Sequence, residues 1–471
     1  MTEAANLAVA DSGVAGVLRD LDTLRVINVL SWPSADPPTD LSRALGVSPR
    51  VTVYSHVGGN TPQWQVNEAA ECIARGESKM TLIAGADCMY SLRKAQKQKL
   101  DLGWSPRGTP VPNAGDGRNG INEIEGRHGA TIPTHIYPLF ENALRAHYGR
   151  SLDEHRASLG DLCASFSSVA ASNPFSWFPE AKSAAEITTV DATNRYIGFP
   201  YPKYMNAIMD VDQGAALLMM SVAEARRLKV PEDRWVYLWG CGDATDHWYI
   251  TERVNYHSSP AIKAAGKRAL DSAGITIGDV AQIDLYSCFP SAVQIGRDAL
   301  GIAADDARVL TVTGGLPYFG GPGNNYVTHS IAAMVRRLRE KRDDIGLVTG
   351  NGWYVTKHSV GIYSTRAPDR AFARRDPKLD QAAVDAEPRP EFVAEPDGDA
   401  TVETSTVLFD RDGAPERGII IGRLRADGRR FIANAPSERA LLEAMTVVET
   451  VGLPGRVAPA SDSEINTFKP A

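Results

Sequence analysis

The chain has 471 residues, 43% of them hydrophobic, five cysteines and a formal net charge of −7. That length suits two or three domains around a large core, and the interspersed charges present no basic face for nucleic acid or an anionic membrane. No apolar run approaches the roughly 18 residues of a membrane span, and the first residues, "MTEAANLAVADSG", carry no basic and apolar leader, so a cytoplasmic protein is expected.

In chain order, the elements repeat. "LAVADSGVAGVLRDLDTLRVINVL" reads as a helix, a Gly-containing stop, an Asp-bearing connector and a strand. Residues 51–87, "VTVYSHVGGNTPQWQVNEAAECIARGESKMTLIAGAD", then read as strand, Gly-Gly, helix and strand, with Val66, Ala69, Ala70 and Ile73 at helical spacing. An insertion over 89–206 follows, with helices at "PTHIYPLFENALRAHYG" and "LGDLCASFSSVAASN" and loops at "NPFSWFPEAKS" and "IGFPYPKYM". It is too long and too patterned for a simple connection. "DQGAALLMMSV" returns to a strand that completes the first half.

The second half repeats the scheme. "RALDSAGITIGDVAQIDLYSCF" matches the first helix–strand segment, and "VLTVTGGLPYFGGPGNNYVTHSIAAMVRRLREKRDDIGLVTGNG" matches the βαβ unit, with Ile331, Met334, Val335 and Leu338 on one helical face. The glycines of "TVTGGLPYFGGPGNNYVTHS" have two readings, a loop that wraps a ligand or a crowded strand-to-helix corner. One strand, "RWVYLWGCG", precedes the second half and has no partner in the first, which begins at its helix. The expectation is that the natural chain starts upstream of Met1, with an apolar strand of about five or six residues in the middle of its sheet.

After Ser364 a Pro-, Asp- and Arg-rich stretch reads as a solvated linker over 366–398. "ATVETSTVLFD", "RGIIIGRL" and "RFIANA" then alternate around Asp-Gly turns, followed by the helix "SERALLEAMTVVE" and the extended "GRVAPASDSEINTF". These elements predict a small OB-like β-barrel over 399–471. Deleting residues 370–471 is expected to leave a folded body. The barrel strands lack the several exposed aromatics that stack bases, which argues against single-stranded nucleic acid.

Cys72, Cys88, Cys163, Cys241 and Cys288 are widely spaced and form no C-x-x-C pair, so reduced thiols are expected, with no disulfide framework and no metal site.

Over roughly residues 1–365 the motifs resemble the thiolase superfamily. "ECIARGESKMTLIAGADCM" is similar to the thiolase helix ending in Gly-Glu and its following strand. "DVDQGAALLMMS" is similar to the D-G-A-A-A strand, "IDLYSCFPSAVQI" to the H-D-C-F loop, and "VTGGLPYFGGPGNNY" to the N-x-G-G-x-x-x-x-G-H-P-x-G loop. The C-terminal barrel resembles the appended domain of a thiolase-like subfamily common in actinobacteria. The resemblance implies a layered αβαβα fold of two halves: residues 1–88 completed by 207–225, the loop-domain insertion 89–206, and 226–365.

At the catalytic positions the sequence departs from the pattern. The thiolase nucleophile falls on Gly59, the histidine of G-H-P on Gly321, the catalytic residue of the H-D-C-F loop on Tyr286, and the late cysteine near Gly350 or Asn351. Thiolysis needs a thiolate and acid/base groups that are missing here. The leading reading is a thiolase-like acyl-CoA-binding protein of the acyltransferase superfamily, in lipid metabolism, that holds no covalent cofactor and takes a coenzyme A thioester as substrate or ligand. Gly59, Asn60, Gly321, Asn325, Asn351 and Gly352 would line its oxyanion loops. The alternatives are a C–C lyase on a β-hydroxyacyl-CoA, and a scaffold that binds a partner through the barrel. For the lyase, Tyr286 and Tyr326 are the candidate catalytic groups, as in thiolase-like aldolases, with His358 a further candidate. A tyrosine base would need its pKa lowered from about 10, with His329, Lys357 and His358 as available neighbours. Each candidate also has a plain role: Tyr286 as a core residue, Tyr326 and His329 as first-turn helix residues, and His358 as a structural histidine. The family default is a dimer through "RVTVYSHVGG"; a monomer is the alternative.

Overall fold

The computed structural model describes residues 1–459 and 465–471. The first half runs from α1 (Thr2–Ser12) through β1 (Thr23–Val26), α2 (Pro37–Leu45), β2 (Val51–Tyr54), α3 (Thr61–Ala74), β3 (Met80–Cys88) and α4 (Met89–Gln98). The insertion adds α5 (Glu123–Arg127), α6 (Pro133–His147), α7 (Leu152–Ser172), α8 (Ala184–Thr188) and the short pair β4 (Tyr196–Gly198) and β5 (Tyr201–Pro202). β6 (Asp212–Met220) and α9 (Val222–Arg227) close the half. Its sheet has the order β2-β1-β3-β6, with β1 parallel to both neighbours and β6 antiparallel to β3 from Met80↔Met220 to Cys88↔Asp212.

The second half comprises β7 (Tyr237–Thr245), α10 (Pro260–Ala273), β8 (Gln282–Asp284), α11 (Pro290–Ala299), α12 (Tyr326–Glu340), β9 (Ile345–Gly352) and β10 (Lys357–Ser364), in the order β7-β10-β9-β8. α3 and α12 pack on each other and on strands of both sheets, while α1 and α10 cover the outer faces. This is the expected αβαβα layering. The apolar face of α12, with Ile331, Met334 and Leu338 all buried, is what the helical spacing predicts.

Two sequence expectations fail here. The run at 309–313 forms no strand. Asp284 is fully buried and its Oδ2 takes the N–H groups of Val312 (2.9 Å) and Thr313 (3.3 Å) and the Thr311 hydroxyl (3.1 Å), so a side chain satisfies backbone that a ladder would otherwise pair. The strand that the first half lacks is also not a central one. Its counterpart β7 sits at the edge of the second sheet, paired only with β10, so the expected strand would have one neighbour, β6, and not two.

α13 (Lys378–Asp385) lies within the linker. β11 (Gly398–Phe409), β12 (Pro415–Leu424), β13 (Arg430–Asn434), α14 (Arg439–Ala444), β14 (Pro454–Ala458) and β15 (Thr467–Pro470) form the C-terminal unit. β12-β13-β15-β14-β11, with β11 pairing back to β12, make a closed five-stranded barrel. The extended stretch expected over 455–468 is β14 and the start of β15; residues 460–464 lie outside the described residues. β4 joins this sheet beside β11, so the insertion and the barrel share hydrogen bonds.

The linker is not simply solvated. Arg374 is buried against Glu68 (2.5 Å), Glu71 (2.9 Å) and Asp243 (2.8 Å), tying the linker to α3 and β7. Nor is the barrel separate. Leu408, Ile419, Ile421 and Ile432 belong to the main hydrophobic core, Asn142 of α6 donates to Ser405 O (2.8 Å), and the fully buried Arg430 donates to Glu403 (2.6 Å) and to the carbonyl of Arg253. The barrel thus covers apolar surface of the body, and Arg374 compensates the buried Asp243. Removing residues 370–471 would expose the first and leave the second without its counter-charge, each a strongly destabilising change. The expected outcome of that deletion is an aggregated product without a cooperative thermal transition; a soluble, cooperatively melting 1–369 fragment in calorimetry would contradict this packing.

Candidate functional site

The N-terminus of α3 meets the carboxyl ends of β8 and β9 at the junction of the halves. Three glycines permit this approach. A Cβ on Gly59 would lie 2.2 Å from the Tyr286 hydroxyl and 2.6 Å from Asn351 O, one on Gly350 would lie 2.9 Å from Asn60 Cα, and one on Gly352 would lie 2.4 Å from Asn60 Oδ1. Tyr286 therefore fills the space that any side chain at position 59 would need. Its amide is held by Thr349 Oγ1 (2.8 Å), and its ring meets Tyr326 edge-on at 5.6 Å. Beside it lies a closed void of about 10 Å³, room for one water, lined by Tyr286, Thr349, Asn351 and His358 among others.

The turn from β9 to β10 carries backbone strain next to this void. Trp353 and Val355 both adopt φ 56°, a left-handed conformation that is rare for a β-branched residue and costs about 1–3 kcal/mol. Tyr137 and Arg253 hold it in place. Tyr137 donates to Trp353 O (2.9 Å) and accepts from Asn351 Nδ2 (2.9 Å) and Val355 N (3.4 Å); Arg253 reaches Tyr354 O (2.9 Å), Val355 O and Thr356 Oγ1 (2.6 Å). Tyr137 comes from α6, so the insertion supplies part of the site.

On the other side of the glycine turn, Lys357 Nζ donates to Val57 O (2.5 Å), and a Cβ on Gly58 would lie 2.7 Å from it. Trp248 and Trp353 flank the ammonium at about 6 Å. Burial pushes this lysine down to about 8, Asp116 acting weakly in the opposite sense. Tyr286 moves the other way: burial, then Cys288 and Tyr326, raise it well above 10. Burial likewise raises Tyr326, whose hydroxyl is bonded to Thr313 Oγ1 (2.5 Å). Neither tyrosine has the lowered pKa that a phenolate base requires. Burial thus keeps the Tyr286 hydroxyl protonated and brings the Lys357 ammonium down toward neutral pH.

His358 Nε2 lies 3.4 Å from Asp246, whose carboxylate also takes Ala261 N (3.1 Å) at the start of α10 and the Ser259 hydroxyl. This histidine joins β10 to a helix cap. Burial tends to raise Asp246, but His358 and Arg253 outweigh it and hold the carboxyl below its usual range.

Gly321 and Asn325 sit in a packed corner, bonded to groups other than Tyr286. Gly321 N donates to Ile208 O (2.8 Å), Asn325 Nδ2 to Gly85 O (2.8 Å), and a Cβ on Gly314, Gly315, Gly320 or Gly323 would strike Ala170, Phe166, Gln213 or Asp87. Of the two readings of the glycine loop, the crowded corner matches the structure. Asn324 serves the site indirectly: its Oδ1 accepts Gly58 N (2.8 Å) and its Nδ2 donates to Asn28 O (3.0 Å).

Comparison with known proteins gives three findings. A family model for the thiolase-like protein type 1 additional C-terminal domain matches residues 380–462. A monomeric SCP2-thiolase-like protein type 1 from Mycobacterium smegmatis has a crystal structure that matches 100% of this chain and 94% of its own, with 38% identity and a TM-score of 0.86. The chain belongs to the SCP2-thiolase-like type 1 family. A structure described as an Ltp2-ChsH2(DUF35) aldolase matches 76% of this chain and 90% of its own at 18% identity and a TM-score of 0.57, a likeness of fold. No curated protein matches the sequence.

Within this thiolase-like fold, the positions read from the sequence converge in part. Gly59, Asn60, Tyr286, Asn351, Gly352 and His358 surround the glycine turn and the void, Tyr326 stands behind Tyr286, and Gly321 and Asn325 do not join them. Tyr137 was not legible, because a tyrosine on an apolar helix gives no sign of what its hydroxyl reaches. Lys357 was legible only as a sequence neighbour of His358.

Because Lys357 titrates near 8 when folded and near 10.5 when unfolded, the unfolded chain binds the extra proton between those values. Stability contributed by this residue therefore rises with pH across that window. Lys357→Met is expected to remove that rise; urea midpoints of both proteins at pH 7.5 and pH 10 check it.

Proposed function

We propose that this protein binds an acyl-CoA thioester at the glycine turn without forming an acyl-enzyme. The observation that carries the reading is Tyr286: its hydroxyl stands in the space of a side chain at position 59, where the thiolase pattern places the nucleophile. A thiol has no room there, but an O–H donor beside the N-terminus of α3 suits a carbonyl or enolate oxygen. The neighbouring void has room for only a single water, so an acyl group enters only when the packing around the turn opens. The segment packed on the turn is 100–122, in which Gly117 lies against His56 and Gly120 against Trp353. Calorimetric titration with CoA and acetyl-CoA is the test. Saturable binding of acetyl-CoA, weakened about fivefold by Tyr286→Phe, and no acyl adduct by mass spectrometry are expected; no heat at millimolar ligand would refute the reading.

A second reading, C–C cleavage of a β-hydroxyacyl-CoA, draws support from the edge-on Tyr286–Tyr326 pair and from the aldolase among the structural relatives. In this reading Tyr286 donates to the enolate oxygen, and Lys357 replaces the tyrosines as proton acceptor.

The protein is a monomer in this proposal. Residues of the insertion cap the open edge of β2: Tyr54 N donates to Asn113 Oδ1 (2.9 Å), Asn113 N to Tyr54 O (3.0 Å), and His56 N to Ala114 O (2.9 Å). A partner strand would have to displace them. Light scattering is expected to give the mass of one chain, and a dimer mass would overturn it.

A further inference from the structure

The buried cations Arg374, Arg430 and Arg145 each meet a carboxylate: Arg374 those of Glu68, Glu71 and Asp243, Arg430 that of Glu403, and Arg145 that of Glu449. Lys357 does not. It is 6% exposed and donates one N–H to Val57 O (2.5 Å). Among the described residues its ammonium has no second hydrogen-bond acceptor and no carboxylate within ion-pair distance. An ammonium taken out of water without a counter-charge is costly, which makes such a group a candidate for the recognition of an anion.

The groups around it point the same way. Trp248 and Trp353 flank the ammonium at 5.9 and 6.0 Å, and the buried Nε1 of Trp353 has no hydrogen-bond partner. Arg118 lies over the Trp248 ring at 3.8 Å and takes Asp116 as its own partner (2.7 Å), so Asp116 acts on Lys357 only from a distance. Lys357, Arg118 and Asp116 together carry one positive charge. Glycine keeps side chains away from the amine: a Cβ on Gly58 would lie 2.7 Å from Nζ, and one on Gly352 would lie 3.0 Å from Cε. Gly58 and Gly59 are consecutive, with α-carbons about 3.8 Å apart, so the ammonium and the Tyr286 hydroxyl meet neighbouring residues of one turn.

An apolar group would leave the ammonium as it is, and a neutral carbonyl would accept a hydrogen bond without balancing the charge. A phosphate monoester brings close to two negative charges against one. A carboxylate supplies one negative charge and two acceptor oxygens, which suits one net positive charge and the two donors Lys357 Nζ and Trp353 Nε1. We propose that Lys357 and Trp353 form a receptor for a carboxylate, and that the acyl group taken at the glycine turn carries one at its far end, as in a monothioester of a dicarboxylic acid. The inference rests on the acyl-CoA reading above. It gives Lys357 a part in recognition, with Tyr286 holding the thioester oxygen one residue along the turn.

The test is calorimetric titration of the full chain with succinyl-CoA and with butyryl-CoA, which has the same four-carbon acyl chain without the carboxylate. The wild type is expected to bind succinyl-CoA about tenfold more tightly, and Lys357→Met to bring that ratio to about one. Trp353→Phe, which removes the N–H and keeps a ring, is expected to lower the ratio about threefold. Equal affinity of the wild type for the two esters would overturn the proposal, as would a ratio that Lys357→Met leaves unchanged. So would an equal loss of both esters in Lys357→Met, which would assign the lysine to the coenzyme they share. If neither ester binds, the acyl-CoA reading falls, and free succinate then decides on the receptor itself. Saturable succinate binding that Lys357→Met abolishes would uphold it, and no heat at millimolar succinate would refute it.

Discussion

The structure depends on how closely its two halves approach one another. At their junction the contacts are those only glycine allows: Gly85 against Asn325, Gly323 against Asp87, Gly59 against Tyr286 and Gly350 against Asn60. Polar side chains then bridge the seam. Asn324 links the Gly58 turn to Asn28, and Asn325 reaches Gly85. Each satisfies buried backbone that no strand reaches, so the seam is closed by hydrogen bonds as well as by shape.

That closeness also sets the chemistry. Packing Tyr286 against a bare Gly59 leaves no space for a nucleophile and buries the phenol enough to keep it protonated. The strained turn at Trp353 and Val355 persists because Tyr137 and Arg253 bond its backbone from two other elements. Those anchors belong to larger assemblies. Tyr137 stacks on Phe289 at 4.5 Å, and the carbonyl of Arg253 is bonded by Arg430 of the barrel. The appended domain thus supports the site from behind rather than hanging from the body.

The sequence by itself determined the repeat, the layered fold, the barrel and the absence of a thiol at position 59. The repeat and the barrel are local signals, in glycine pairs after strands, helical spacing at Val66–Ile73 and Ile331–Leu338, and Asp-Gly turns between alternating runs, while the layered fold and the meaning of position 59 came through the motifs' resemblance to the thiolase superfamily. Only the tertiary structure decided the rest, because those features arise between residues far apart in the chain. Asp284 turned an expected strand into a side-chain-bonded loop, Arg374 docked a stretch that composition reads as solvated, and burial raised the tyrosines while lowering Lys357. Neither the direction of a pKa shift nor the reach of the Tyr137 hydroxyl is written in residue type or spacing. Both follow from which groups the fold removes from water and what it places beside them.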